Sequence, residues 1–307
     1  MRDAIFRAAT RMRGQGGITV PSTTTDHAVA RALEHAITVR RLSLEFPADL
    51  DPVVVEGCPE ESYMHVGISL LLPHLEPYLI RSMRSAREHV RDRQLLADLE
   101  AFSGQEGQHF RQHARFNEAL RLGGFVGLAQ LEAEIEADYQ RFTRSRSLRF
   151  NLAYAEGFEA FTTALSRFSF ESKLLDRLHP AVRPLFLWHL VEELEHRTVA
   201  FDVYEHVCGG YFYRLGVGLF AQWHLNRFVL RVIDVMLGSD REAFRKKYGG
   251  RVAAWARTRT LRRQKMTMFF PKVVATYLPW YSPHKIAMPA AARALADHYA
   301  ALSSRVA

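Results

Sequence analysis

Two Glu-x-x-His motifs, each with a lone glutamate about one helical hairpin upstream, leave this chain few ways to fold. The motifs are Glu106-Gly107-Gln108-His109 and Glu193-Leu194-Glu195-His196, and Glu76 and Glu159 precede them by 30 and 34 residues. Each residue of an α-helix turns about 100°, so positions i and i+3 share a face one turn apart. One helix can therefore bring a carboxylate and a neutral imidazole to the same point. Two such helices and two further glutamates assemble four carboxylates and two imidazoles, the ligand pattern of a dimetal site inside a four-helix bundle. Four carboxylates roughly neutralise two divalent cations, and burying them without cations would be prohibitively costly. Mixed oxygen and nitrogen donors suit iron or manganese better than a thiolate-loving metal. A lone Glu-x-x-His is commonly a surface helix pair; the duplicated spacing carries the reading.

Apolar periodicity predicts long helices over residues 60–90, 92–122, 147–171 and 180–208. Gly123-Gly124 and Gly209-Gly210 are expected to stop the second and fourth of these. Pro180 and Pro184 fit the first turns of the fourth. The acidic stretch Leu128 to Tyr139 is long enough to cross the bundle, as the long connection of a ferritin-like fold must. Further helices are expected over 211–237, 240–264 and 285–303, with an aromatic loop from Tyr277 to Pro283. No strand pattern appears. The expected fold is all-α, a ferritin-like four-helix bundle with additional C-terminal helices. Residues 1–37 read as a tail and lead-in and 38–307 as one helical domain, with 38–58 irregular around Pro47 and Pro52.

The predicted metal ligands are Glu76, Glu106, His109, Glu159, Glu193 and His196, with His189 as a candidate third imidazole. Positions 189, 193 and 196 fall within an arc of about 60°. His113, four residues after His109, mirrors His189 if the two motif helices run antiparallel, and is expected to line the pocket or support a ligand. Gln105 and Glu192 are placed to orient the histidine of the opposite helix through its second ring nitrogen. Pro73 and Pro77 flank Glu76 and predict a kink there, because Pro77 cannot donate to the Pro73 carbonyl. Glu60, Glu61 and Glu88 compete with Glu76, and Glu156 competes with Glu159.

The 307 residues are 48% hydrophobic, enough for a sizeable core, and carry a formal net charge of +8. That balance admits anionic partners, although no helix-turn-helix, zinc-finger or RNA-recognition pattern accompanies it and nucleic acid is not expected. The densest run of arginines spans Arg257 to Arg263. Two cysteines, Cys58 and Cys208, form neither a metal-binding pair nor a disulfide framework, so a reducing cytoplasm is expected. No stretch reaches a membrane span: Tyr211 to Leu237 is interrupted by Arg214, His224, Arg227, Arg231 and Asp234. That segment is read as a buried amphipathic helix or one lying on a membrane surface. A homodimer is compatible with this composition.

Four strings carry a resemblance. They are Leu70-Leu71-Leu72-Pro73-His74-Leu75-Glu76, Gly104-Gln105-Glu106-Gly107-Gln108-His109 with His113 and Asn117, Phe158-Glu159-Ala160-Phe161-Thr162, and Trp188-His189-Leu190-Val191-Glu192-Glu193-Leu194-Glu195-His196, which runs on into Ala200-Phe201-Asp202-Val203-Tyr204. They resemble a bacterial family labelled predicted metal-dependent hydrolase, over roughly residues 38–285. Leu75 and Ala160 depart from the Gly and His usual there and leave the predicted ligands intact. The arrangement His189-x3-Glu193-x2-His196 is also similar to the di-iron arylamine N-oxygenases. That second resemblance implies O2 activation at two iron ions, manganese being the alternative metal. The expected activity is a non-haem di-iron oxygenase that hydroxylates, desaturates or N-oxygenates an apolar or aromatic substrate, free or carrier-bound, with an external electron donor. A dinuclear metal-dependent hydrolase is the alternative, and a non-catalytic iron-binding or ferroxidase protein the third reading.

Overall fold

A computed structural model describes residues 37–238 and 241–303. Of the tail and lead-in expected over residues 1–37, all but the last residue lie outside them. The chain forms α1 (Pro59–Ala86), α2 (Arg93–Ala119), α3 (Leu128–Ser145), α4 (Leu148–Ser172), α5 (Arg183–Glu195), α6 (Val199–Val207) and α7 (Tyr211–Gly238). Shorter helices follow: α8 (Arg241–Tyr248), α9 (Arg251–Arg257), α10 (Arg259–Gln264), a π-helical turn over Lys265–Phe269, α11 (Phe270–Thr276) and α12 (Ala290–Ser303). The fold is an all-α bundle, with no strand among the described residues beyond two isolated bridges.

Local chemistry sets several helix ends. α1 begins with Pro59 in its first turn, where a missing N–H costs nothing, and with Glu60 and Glu61 against the positive end of the helix dipole. The Asp92 carboxylate caps α2 by accepting from the Leu95 N–H at 2.9 Å. The Ser147 hydroxyl does the same for α4 from Phe150 at 3.2 Å. α4 ends where Lys173 turns left-handed at φ 55°.

α1, α2, α4 and the α5–α6 pair form the bundle around one core that includes Leu71, Leu75, Tyr78, Phe102, Leu152 and Trp188. α3 lies against α1 and α7, and α7 lies across α1 and α4. The lead-in is irregular, yet it is tied down: Leu50 pairs with Ala119 and Arg121 through backbone bonds of 2.8 and 3.0 Å, and the Val54 carbonyl accepts from His179 at 2.7 Å. α1 continues through both Pro73 and Pro77. No helix among the described residues is long and apolar enough to cross a membrane.

Four expectations need correction. The helix predicted over 180–208 is two helices, interrupted at His196, Arg197 and Thr198. No glycine or proline marks this break. Tertiary bonds hold it instead: Arg197 donates to the Leu194 carbonyl, left without its helical partner, and to the Ile286 carbonyl at 3.0 Å. Pro180 lies before α5, and only Pro184 sits in its first turn. The helix predicted over 240–264 is α8, α9 and α10, separated at Gly249-Gly250 and Thr258. The helix predicted to reach residue 122 ends at Ala119, before the glycines, because Leu120 and Arg121 turn to meet Leu50.

α4 and α7 touch closely at one point. A Cβ on Gly157 would lie 2.4 Å from the Gly218 Cα, whereas a Cβ on Gly218 would lie 3.5 Å from the Gly157 Cα. Gly157→Ala should therefore lower stability by roughly 1–3 kcal/mol. Gly218→Ala should be neutral or stabilising by up to about 1 kcal/mol, the helix-propensity gain. Paired chemical denaturation curves check this; equal destabilisation by both substitutions would contradict the close approach.

Candidate metal centre

Each helix of the bundle sends one or more donors to a common interior point. α1 contributes Glu76, α2 Glu106 and His109, α4 Glu159, and α5 His189 and Glu193, with His196 at the residue that ends α5. All seven are buried. Their donor atoms fall into three overlapping groups, each within 4.8 Å: Glu76 with His109 and His189, Glu106 with Glu159 and His196, and Glu106 with His109 and Glu193. Glu193 faces both ends of the cluster. Its Oε1 lies 2.9 Å from His189 Nε2 and 3.9 Å from His109 Nδ1, while its Oε2 lies 3.5 Å from His196 Nε2. The Glu106 Oε1 is similarly shared, 3.7 Å from His109 Nδ1 and 3.4 Å from His196 Nε2.

Both oxygens of Glu76, Glu106 and Glu159, the Glu193 Oε2, the His109 Nδ1 and the His196 Nε2 have no hydrogen-bond partner. A buried polar atom without a partner is costly, and here nine of them point at one another. The outward-facing atoms are satisfied. His109 Nε2 meets the Glu192 carboxylate at 3.0 Å, and His196 Nδ1 meets the Gln105 Oε1 at 2.9 Å. Each acceptor holds one imidazole proton outward, so that the inward nitrogen can give its lone pair to a metal once its own proton is released. These cross-pairings, 105 with 196 and 109 with 192, also show α2 and α5 running antiparallel.

His113 continues the ladder. The Ser69 hydroxyl donates to the Asn117 Oδ1 at 2.6 Å, so the His113 Nδ1–H donates to Ser69 at 2.8 Å. His113 Nε2 meets the His189 Nδ1 at 2.9 Å. His189 Nε2 hydrogen-bonds the Glu193 carboxylate at 2.9 Å and lies 3.8 Å from Glu76. The competing carboxylates are engaged elsewhere: Glu60 with Arg257, Glu61 with Arg177 and Glu156 with Arg214, while Glu88 is exposed.

Arg40 is the residue sequence reasoning missed. It donates to Glu192 at 3.0 Å and to both oxygens of Glu195 at 2.6 and 2.7 Å. Gln105 and Trp188 complete this layer, donating to Glu195 and Glu192 at 2.8 Å each. An arginine in an irregular lead-in carries no spacing signal, so only the fold reveals it.

An apolar pocket borders the cluster at His113 and His189 and is walled by Leu72, Phe158, Phe161 and Phe186 among others. No Asp, Glu, Lys or Arg among the described residues lines it.

Charge crowding perturbs the metal-free site. Burial, reinforced by Glu106, Glu193 and Glu159, pushes the Glu76 carboxyl well above the usual range. Burial and Glu193 push Glu159 up to about 8. Burial opposes charge on Glu193, but His196 and His189 hold its carboxyl well below the usual range. Burial likewise opposes charge on His109, yet Glu106 and Glu192 raise it to about 9. The sign follows directly. A carboxyl raised on folding holds a proton that the unfolded chain releases above its ordinary value, so Glu159 costs stability increasingly as pH rises from about 4.5 to 8. The extra stability from His109 is full below about 6.5 and is lost as pH rises through about 9. A divalent cation bound there would replace both protons. The metal-free protein should therefore melt lower at pH 8 than at pH 6, and the gain in Tm on adding Fe(II) or Mn(II) under anaerobic conditions should widen over that interval. Metal uptake should also release protons, measurable as a dependence of binding heat on the buffer's ionisation enthalpy. A pH-independent gain in Tm would contradict the assignment.

The family whose sequence model matches residues 38–287 is described as predicted metal-dependent hydrolase. Neither the curated proteins nor the solved structures contain a significant match to the chain. A match over most of the chain, with the ligand motifs inside it, shows that this protein belongs to the predicted metal-dependent hydrolase family.

Proposed function

We propose that the chain is a non-haem di-iron oxygenase of the ferritin-like type, holding two iron ions at Glu76, Glu106, His109, Glu159, His189, Glu193 and His196. The observation that carries this reading is the set of nine orphaned atoms from four helices, converging beside a pocket with no charged wall. The donor chemistry fits: four carboxylates balance two divalent cations, and oxygen and imidazole ligands suit iron, with manganese as the alternative. Glu76, His109 and His189 would serve one ion and Glu159 and His196 the other, with Glu106 and Glu193 between them. Bound iron in such a site supplies O2 activation, with electrons from an external donor.

The protein's own part is orientation and exclusion. Gln105 and Glu192 hold His196 and His109 in place, and Arg40 bonds both Glu192 and Glu195, offsetting one of the two negative charges of this supporting layer. The His113–Ser69–Asn117 chain fixes His189. Phe158, Phe161 and Phe186 keep the adjoining space dry and shaped for an apolar or aromatic substrate.

A second reading, a dinuclear hydrolase using metal-activated water, is favoured by the family's description. The apolar wall would suit an apolar substrate of either reaction, and bound metals would themselves stabilise the charge an ester develops, so dependence on O2 is what separates the two readings.

Elemental analysis of protein expressed with iron should give about two metals per chain, falling to near zero in Glu106→Ala and Glu193→Ala. The loaded, reduced protein should consume O2 and oxidise its iron. Anaerobic cleavage of esters with zinc or manganese, without O2 consumption, would install the hydrolase reading instead. One zinc per chain, or unchanged metal in both variants, would remove the dinuclear site altogether.

A further inference from the structure

The C-terminal segment 211–285 is electrostatically unlike the rest of the chain. It carries fifteen Lys and Arg against Asp234, Asp240 and Glu242, a formal charge of +12 within a chain whose total is +8. The remaining residues are therefore net acidic. The same segment holds ten of the thirteen large apolar side chains exposed among the described residues, including Trp223, Trp255 and Trp280. A single apolar residue on a surface is ordinary; this concentration is not.

The pattern is ordered. On α7, Phe212, Leu219, Trp223 and Leu230 are exposed, and their spacing places them within an arc of about 40°. The opposite side of α7, with Gly218, Ala221, Leu225, Phe228 and Val232, is buried against the bundle. Met266, Phe270 and Val274 repeat every four residues and are exposed as well. Arginines flank these apolar groups: Arg227 lies over the Trp223 ring at 5.7 Å, and Arg262 over the Trp255 ring at 3.3 Å. Arg251, Arg259 and Arg263 are exposed and form no salt bridge with a described carboxylate.

We propose that this segment docks the protein onto an anionic lipid bilayer, with the α7 stripe seated at the interface and the arginines of α7 and of the adjoining α10 on lipid headgroups. Exposed aromatic and aliphatic side chains beside unpaired cations are what an interfacial anchor needs. Indole rings favour the headgroup boundary, where one edge is wet and the other apolar. A second copy of the chain fits less well, because a two-fold contact would set two arginine-rich faces against each other. Nucleic acid would leave the apolar centre of the stripe without a partner.

The face also borders a route inward. A second pocket, lined by Leu230, Leu261, Arg262, Lys265 and Phe269, shares Met64, Ile68, Phe161, Leu165, Leu174 and Leu225 as walls with the apolar pocket beside the metal ligands. Entry of an apolar substrate from the bilayer follows from this adjacency and rests on the function proposed above; lipid docking does not.

Vesicle co-sedimentation of the full chain tests the docking alone. The protein should pellet with phosphatidylglycerol vesicles and far less with phosphatidylcholine vesicles, and high salt should release it. Trp223→Asp, and separately Arg259→Glu with Arg263→Glu, should each weaken binding roughly tenfold or more while leaving the melting temperature and metal content unchanged. The wild-type comparison of the two lipids and of salt stands even if a variant folds poorly. No pelleting with phosphatidylglycerol would overturn the proposal, as would equal binding to both lipids. So would a solution dimer that Trp223→Asp converts to monomer, because a second copy would then cover the face.

Discussion

Four buried carboxylates facing one another dominate the energetics of this protein. Like charges in a dry interior repel strongly and cannot all ionise, and the neighbouring imidazoles offset only part of that cost. The surrounding bundle buries the cluster on every side, and bound cations would offset its charge. The outward layer matters as much as the ligands. Glu192 and Gln105 fix two imidazoles, and Arg40 supplies the charge that lets Glu192 and Glu195 stay buried or half-buried. Without that cation the supporting layer would add two more uncompensated carboxylates to an already crowded interior.

The architecture serves this arrangement. Antiparallel α2 and α5 place each motif's histidine beside the residue that precedes the other motif's glutamate, so one geometric relation serves both ends of the site. The break after Glu195 gives His196 non-helical backbone at φ −92° and ψ 8°. Arg197 keeps that break satisfied by taking the freed Leu194 carbonyl. Close contact at Gly157 and Gly218 lets α7 lie against α4. The bundle and its C-terminal segment are thereby joined around the pocket that borders His189.

How much of this could be read beforehand differs by element. The cluster was legible because a helix imposes a fixed angular period, and Glu106 with His109 or Glu193 with His196 must then share a face. Gln105 and Glu192 were legible for the same reason, one position away. Arg40 was not, since an irregular segment has no period to read. The break at His196 was equally silent: Leu194, Glu195, Arg197 and Thr198 contain no helix breaker, and the interruption is stabilised by the Ile286 carbonyl far along the chain. The short helices after Gly238 break at Gly249-Gly250, a pair of helix breakers visible in the sequence, and at Thr258, where no breaker marks the end.

The sequence alone determined an all-α chain with two duplicated Glu-x-x-His pairs, because helical periodicity and local capping act over a few residues and need no distant partner. The tertiary structure decided which atoms of those ligands point inward, which carboxylates are spent on Arg177, Arg214 and Arg257, and which face of α7 is left uncovered. Those outcomes depend on contacts between residues tens to hundreds of positions apart, and no local pattern encodes where such partners meet.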